Sequence, residues 1–298
     1  MRIKFPVALW VAASLIGPMN AWAQQEDSVK IEATQVRGDI YMLTGQGGNI
    51  GLFNGKDGSF MIDDQFAPLT EKIIAAAKSV GGAVPQYLIN THFHGDHTGG
   101  NENLGKAGTL ILSHHGVRER LQNGSFIGAF GMKSAPASQQ ALPTITYSDE
   151  MHLHINDETV RIVHVPRAHT DGDSFVIFEN ANVVHAGDLF FNGFFPFIDG
   201  SHGGSVRGVI AGVDRILRYT DKHSKIIPGH GPLAAQADLQ AYRDMLAQAY
   251  ERLLKLKNQG NTAAQAVQLQ PLQYLEAGWG GGIFTADKWI EVVYPAVF

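Results

Sequence analysis

Residues 90–100 read NTHFHGDHTGG, and this stretch restricts the fold more than any other part of the chain. It places His92, His94, Asp96 and His97 directly after QYLIN, a short apolar segment that is typical of a buried strand. Imidazole and carboxylate groups at this density are typical of a metal site. The chain therefore has to end a strand at a point where metal ligands converge.

The spacing within the motif divides its four polar side chains into two pairs. If the chain leaving QYLIN is still extended, His92 and His94 point the same way, because residues two apart in a strand share a face. Gly95 then allows the backbone to turn, so Asp96 and His97 need not face where the first pair faces. Each pair would serve a different metal. Catalytic zinc usually takes three protein ligands and a water, so two such sites need further ligands.

Three further candidates lie just beyond predicted strands. His169 follows VRIVHV, Asp188 follows NVVHA and His230 follows KIIP. Loops at strand ends are where binding sites are usually built. We therefore expect one metal on His92, His94 and His169, a second on Asp96, His97 and His230, and Asp188 as the bridge between them.

The remaining pattern predicts an α/β fold. Short strands with glycine-rich turns come first (DIYMLTG, NIGLFNG and GSFMIDD), and LTEKIIAAAKSV has helical periodicity. A similar second half follows, with strands ETVRIVHVP, SFVIFEN and NVVHAGD and a long helix that starts at QADLQAY. Two halves of this kind predict two sheets packed together with helices outside.

The ordered set of motifs resembles the metallo-β-lactamase superfamily. His-x-His-x-Asp-His, a later histidine, a strand-end aspartate and a GHG histidine follow one another in that family's order, from about Asp39 to His230. The resemblance implies a four-layer α/β/β/α sandwich with the metals at one edge of the sheets, in one hydrolase domain over residues 24–298. It also implies that Asp63, in MIDDQ, orients a ligand histidine from outside the metal site.

Such a site predicts metal-assisted hydrolysis. Two zinc ions would make hydroxide available near neutral pH, and a hydroxide bridging them would attack a substrate carbonyl. Asp96 would act as the catalytic residue that orients this nucleophile and carries a proton to the leaving group. The same donors also suit iron or manganese.

Two departures from the family bear on the substrate. The chain looks most like the class B β-lactamase branch, which makes β-lactam (cyclic amide) hydrolysis the first expectation. However, Asp188 stands where the best-known subclass has a cysteine, and Phe191 where that subclass has a lysine that binds the β-lactam carboxylate. A ligand set with aspartate resembles that of glyoxalase II and lactonases, so thioester, lactone or ester hydrolysis is the alternative.

The N-terminus predicts export. Residues 1–23 combine Arg2 and Lys4 with an apolar run and the small-x-small sequence Ala-Trp-Ala, as a cleavable signal peptide does. We expect cleavage after Ala23 and a periplasmic or secreted protein, with no membrane attachment afterwards. An uncleaved anchor is the alternative.

Composition limits the classes of molecule that the protein is expected to bind. The formal net charge is −5 and basic runs are absent, which argues against nucleic acid and leaves a small molecule as the expected substrate. Three rival classes stay open: an iron-dependent redox enzyme, a nuclease or phosphodiesterase, and a non-catalytic binding protein. FFNGFFPFIDGSHGG predicts either an aromatic wall beside Asp188 or ordinary packing, and neither a role for AGWGGGIF nor the oligomeric state follows from the sequence.

Overall fold

Two β-sheets and a separate hairpin make up the strands of this computed structural model, which describes residues 28–297. The predicted signal peptide therefore lies outside the described residues. The strands are β1 Glu32–Arg37, β2 Ile40–Thr44, β3 Ile50–Phe53, β4 Phe60–Ile62, β5 Tyr87–Asn90, β6 Leu110–His114, β7 Ser125–Ile127, β8 Met132–Ser134, β9 Ile145–Tyr147, β10 Glu150–Ile155, β11 Glu158–His164, β12 Ser174–Phe178, β13 Val183–His185, β14 Lys225–Ile227 and β15 Ala234–Ala235.

Helices follow or separate these strands. They are α1 Thr70–Ser79, α2 Gly95–Thr98, α3 Asn101–Lys106, α4 His115–Asn123, α5 Val206–Leu217, α6 Gln236–Asn258, α7 Ala263–Gln268, α8 Glu276–Trp279 and α9 Ala286–Val293. Within residues 28–297, none of the helices combines the length and the hydropathy that a membrane crossing requires.

The first sheet has the order β1-β2-β3-β4-β5-β6-β9 and the second the order β10-β11-β12-β13-β14-β15, while β7 pairs with β8 alone. From β4 to β9 the first sheet is parallel, and β13 and β14 form a parallel pair in the second. Parallel strands place their carboxyl ends at one edge, where the crevice of an α/β fold forms.

The sheets pack face to face through a shared apolar core. Phe178 of β12 meets Phe53 of β3 and Phe60 of β4, with ring centroids 5.4 and 6.4 Å apart. Along β11, buried Val160 and Ile162 face the same core, as the two-residue period of a strand requires.

Helices cover the outer face of each sheet. The periodic apolar residues of α1, such as Ile73, pack with Leu52 against the first sheet. Those of α5 and α6, such as Val213 and Leu246, cover the second, together with Trp289 of α9. The predicted four-layer α/β/β/α sandwich is therefore confirmed.

Two backbone hydrogen bonds join the sheets at the edge where the motifs lie. Ser174 N–H donates to the Thr91 carbonyl at 2.8 Å, and Asn49 N–H donates to the Gly229 carbonyl at 2.7 Å. These bonds tie the segment after β5 to the start of β12, and the turn before β3 to the segment after β14, whose Gly229 N–H in turn donates to the Gly187 carbonyl after β13.

Candidate metal centre

The motif after β5 changes from extended to helical backbone in its middle. His94 is extended, with φ −64° and ψ 147°, and α2 begins at Gly95. His92 and His94 both face the same group of donors, as expected. Gly95 does not adopt a positive φ, so the turn does not depend on the special freedom of glycine, which corrects that expectation.

The first group of donor atoms consists of three imidazole nitrogens and one carboxylate oxygen. His94 Nδ1 lies 3.1 Å from His92 Nε2 and 2.9 Å from His169 Nε2. Asp188 Oδ2 lies 3.7 Å from the same nitrogen of His92 and 3.3 Å from that of His169. All four side chains are buried.

The second group converges in the same way. His97 Nε2 lies 3.3 Å from His230 Nε2 and 3.6 Å from Asp96 Oδ2, and the last two atoms are 3.3 Å apart. The other oxygen of Asp188, Oδ1, is 3.1 Å from His97 Nε2 and 3.5 Å from His230 Nε2. Asp188 thus faces one group with each carboxylate oxygen.

These separations fit metal coordination. Ligand atoms about 2.1 Å from a common tetrahedral ion lie about 3.4 Å from one another. The structure brings the seven predicted ligands together in the two predicted groups, within 4.8 Å in each. Asp188 Oδ1 is buried and has no hydrogen-bond partner among the described residues when the inner nitrogens of His97 and His230 carry no proton, although buried carboxylate oxygens normally have a partner.

Hydrogen bonds on the far side of each ring fix which nitrogen faces inward. His169 Nδ1 lies 2.8 Å from the Phe197 carbonyl, and His94 Nε2 lies 3.1 Å from Asp199 Oδ2. Carbonyl and carboxylate oxygens only accept, so both nitrogens donate. When neutral, the two rings therefore direct lone pairs at each other across 2.9 Å. A cation between them removes that repulsion.

Asp63 plays the same part for the second group, as the sequence suggested. Its Oδ2 accepts from His97 Nδ1 at 2.7 Å and from Thr91 Oγ1 at 2.7 Å, and its Oδ1 accepts from Thr91 N–H at 2.8 Å. The lone pair of neutral His97 Nε2 then faces His230 and Asp188. Carboxylate–histidine pairs of this kind are the usual outer support of metal ligands.

Protonation also differs between the groups. Burial lowers the pKa of His92 well below its ordinary value and that of His169 to about 4, so both rings are neutral near pH 7. In the second group burial opposes protonation, but the carboxylate of Asp188 and its neighbours outweigh it and raise the pKa of His97, and that of His230 to about 9. The second group therefore favours positive charge, and metal binding there would release protons.

Asp199 was not identified from the sequence. Its Oδ2 accepts from His94 Nε2 and lies 2.6 Å from His202 Nδ1, while its Oδ1 accepts from Ser201. The residue lies in a phenylalanine-rich segment with no spacing that relates it to the motif. Only the fold brings it to His94.

The glycine-rich turn between β2 and β3 packs tightly on the second group. Gly48 N–H donates to the Asp96 carbonyl at 3.0 Å, and the Gly48 carbonyl accepts from Gln65 Nε2 at 2.7 Å. A methyl group on Gly48 would lie 2.1 Å from Cε1 of His97. Glycine is required at position 48 because the backbone approaches the ring of His97 so closely.

Gly48→Ala should therefore displace His97 and lower both metal content and hydrolysis, the latter by about a hundredfold, the cost of a misplacement of about 1 Å. Gly95→Ala is the matched control, because a methyl group there meets no heavy atom within 4 Å. Metal per chain and kcat/KM should separate the two variants. Equal activity in both would contradict the placement of His97.

One side of the two groups is open to solvent. The side chains of Asp96 and His230 are 29% and 24% exposed, whereas the other five are almost fully buried. The ring of Phe191 stacks on His230 with centroids 4.9 Å apart. A substrate therefore has access from the side of Asp96 and His230, next to an aromatic ring.

Comparison with known proteins gives a family match over most of the described chain. A model of the metallo-beta-lactamase superfamily matches residues 43–230, a range that contains all seven donors and Asp63. Among curated relatives, the acyl-coenzyme A thioesterase MBLAC2 of Bos taurus is 22% identical over 247 residues, which is 74% of this chain and 81% of the relative. A hydroxyacylglutathione hydrolase of Rhodospirillum rubrum is 30% identical over 125 residues, 42% of this chain and 41% of the relative.

Solved structures share the fold at low identity. A metallo-beta-lactamase from Pontibacter korlensis gives a TM-score of 0.59 at 16% identity and covers 73% of this chain and 99% of its own. The metallo-beta-lactamase FIM-1 from Pseudomonas aeruginosa, in a mono-zinc form, gives 0.59 at 17% identity and covers 74% and 96%. At such identities the likeness concerns the fold alone.

Proposed function

The chain belongs to the metallo-beta-lactamase superfamily, and on that premise we propose that it is a dinuclear metal hydrolase that cleaves a carbonyl derivative. The observation that carries the proposal is the convergence of imidazole nitrogens on two points with one oxygen of Asp188 at each. His92, His94 and His169 would hold one ion, and Asp96, His97 and His230 the other. Buried nitrogens arranged in this way have little use without a cation.

Zinc bound there would lower the pKa of a water to about 7 and polarise the substrate carbonyl. The residues of the chain would do the rest. Asp96, on the exposed side, would accept a proton from the attacking water and pass it to the leaving group. Asp63 and Asp199 would keep His97 and His94 in the tautomers that leave their inner nitrogens free.

For the substrate, we propose an acyl thioester or ester in preference to a β-lactam. The curated relatives are named as an acyl-coenzyme A thioesterase and a hydroxyacylglutathione hydrolase, and both names describe hydrolysis of an acyl derivative. Phe191 further supports this choice, because it places an apolar ring on His230 where a lysine would bind a carboxylate. β-Lactam hydrolysis is the second candidate, since the fold matches metallo-beta-lactamases.

The test is a substrate panel with zinc-loaded protein: an aryl ester, an acyl-coenzyme A thioester, a homoserine lactone and a chromogenic cephalosporin. We expect thioester or ester hydrolysis that a chelator abolishes and zinc restores. Cleavage of the cephalosporin alone would favour the second candidate. Activities that survive chelation would reject a metal hydrolase, and hydrolysis supported by iron but not by zinc would identify iron as the metal.

We also propose that the protein is exported, on the basis of residues 1–23. N-terminal sequencing of the protein from a bacterial host should give a chain that begins at Gln24. An intact N-terminus in the membrane fraction would favour the retained anchor.

A further inference from the structure

Aromatic side chains form an arc from the second group of donor atoms to the first. At one end the ring of Phe191 stacks on His230, and Phe194 packs edge-on against Phe191 with centroids 5.7 Å apart. At the other end Phe197 lies 5.7 Å from the rings of both His94 and His169. The segment after Asp188 thus lines both ends of the site.

Two distant parts of the chain complete the arc. The ring of Phe130, in the β7–β8 turn, lies 4.7 Å from Phe197 and stacks with Phe284 at 6.2 Å. Gly282 packs directly against the ring of Phe194. A methyl group added to Gly282 would lie only 2.6 Å from that ring. The GGGIF sequence, which had no function at the level of sequence, therefore connects Phe194 to Phe130.

The outer end of this arc and the hairpin beside it are exposed, whereas Phe191, Phe197 and Phe284 are buried. Phe130 is 44% exposed and Ile283, between Gly282 and Phe284, is 43% exposed. The same hairpin carries Phe126 and Met132, at 56% and 55%. Four of the nine large apolar side chains exposed among the described residues thus belong to the hairpin or to GGGIF. A cluster of exposed apolar side chains next to a site indicates a surface that binds an apolar ligand.

The hairpin is held in place by its own buried residue. Along β7, Ile127 enters the core beneath the second sheet while Phe126 faces solvent on the opposite side of the strand. Phe130 sits in the turn, where its N–H donates to the Ile127 carbonyl at 3.2 Å. Its exposure is thus a consequence of an anchored hairpin.

We infer that the exposed outer end of this arc, Phe130 and Ile283, binds the apolar acyl chain of the substrate, with the buried rings of Phe197 and Phe284 packed behind it. With the scissile carbonyl at the metal groups, the chain would extend over Phe130 and Ile283, which act as specificity-determining residues. The inference rests on the proposed hydrolase function. Its basis is the continuity of ring contacts between the exposed surface and His94, His169 and His230.

The double variant Phe130→Ser, Ile283→Ser tests this inference in the full chain. Hydrolysis of acetyl- and octanoyl-coenzyme A is compared, together with binding of the two non-hydrolysable thioether analogues. The wild type should prefer the octanoyl substrate, and the variant should reduce the ratio of the two kcat/KM values roughly tenfold, as loss of about two methylene contacts would. Acetyl-coenzyme A hydrolysis should change little. Leu269→Ser is the matched control, an exposed apolar residue just after α7.

Each outcome has a distinct meaning. Hydrolysis with the same octanoyl-to-acetyl ratio in wild type and variant would overturn the inference and leave the proposed function intact. No hydrolysis, but octanoyl-analogue binding that the double variant loses, would overturn the proposed function and retain the acyl surface. Concentration-dependent self-association that the variant abolishes, without any effect of chain length, would show that the arc is covered by a second copy, which also overturns the inference.

Discussion

Replacing Asp188 by alanine is expected to remove bound metal and hydrolysis together, with a rate loss of about a thousandfold or more. Its two oxygens face different donor groups, so the substitution removes one ligand from each. A metal ion contributes several kcal/mol of transition-state stabilisation, and about 4 kcal/mol corresponds to about a thousandfold in rate. The variant also leaves His97 and His230 without the carboxylate that raises the pKa of both.

Metal per chain, kcat/KM and the melting temperature measure this prediction. Asp188→Asn guards against a folding defect, because it keeps the volume but offers one carbonyl oxygen in place of two carboxylate oxygens; we expect it to retain metal in one group only. Asp214→Ala is the control, since Asp214 pairs with Arg243 at the surface and such pairs contribute about 0–1 kcal/mol. Full activity of Asp188→Ala with both metals bound would refute the bridging assignment.

The elements that position the site could be predicted because their sequence signals are local. The helix expected over residues 69–80 is α1 Thr70–Ser79, and the strand QYLIN is β5 Tyr87–Asn90. Each predicted ligand after a strand lies at the sheet edge, since the two-residue period and glycine punctuation mark where a strand ends. The grouping of seven donors followed from their order along the chain.

What the sequence did not reveal depends on long-range contacts. Strands β1 and β10 lie at sheet edges. Their sequences contain many polar residues, because much of each strand faces solvent. Asp199 meets His94 across 105 residues, and Phe130 meets Phe284 across an even longer separation, so no periodicity relates them. Such pairs are brought together only when helices and loops pack around both sheets.

Changing Asp63 to asparagine should weaken the second metal group selectively. The amide keeps the size of the carboxylate, and asparagine tolerates the left-handed backbone of residue 63, where φ is 61°. Its oxygen can still accept from Thr91 N–H. Its NH₂ group, however, would face His97 Nδ1 as a second donor, which favours the tautomer with a lone pair on Nδ1 and a proton on Nε2.

That proton would occupy the position from which His97 must bind metal. Loss of such an outer partner typically costs 10- to 100-fold in metal affinity or activity, so we expect zinc titration to show one site weakened by about that factor while the first group keeps its metal. Asp64→Asn is the matched control, because burial already raises the pKa of the Asp64 carboxyl well above its ordinary value and the amide changes its charge least. Asp63→Ala, which leaves three donors without an acceptor, should in addition lower the melting temperature. Unchanged zinc affinity in Asp63→Asn would show that His97 keeps its tautomer without Asp63, and the ordering of the second group would then have to come from Asp188 and His230.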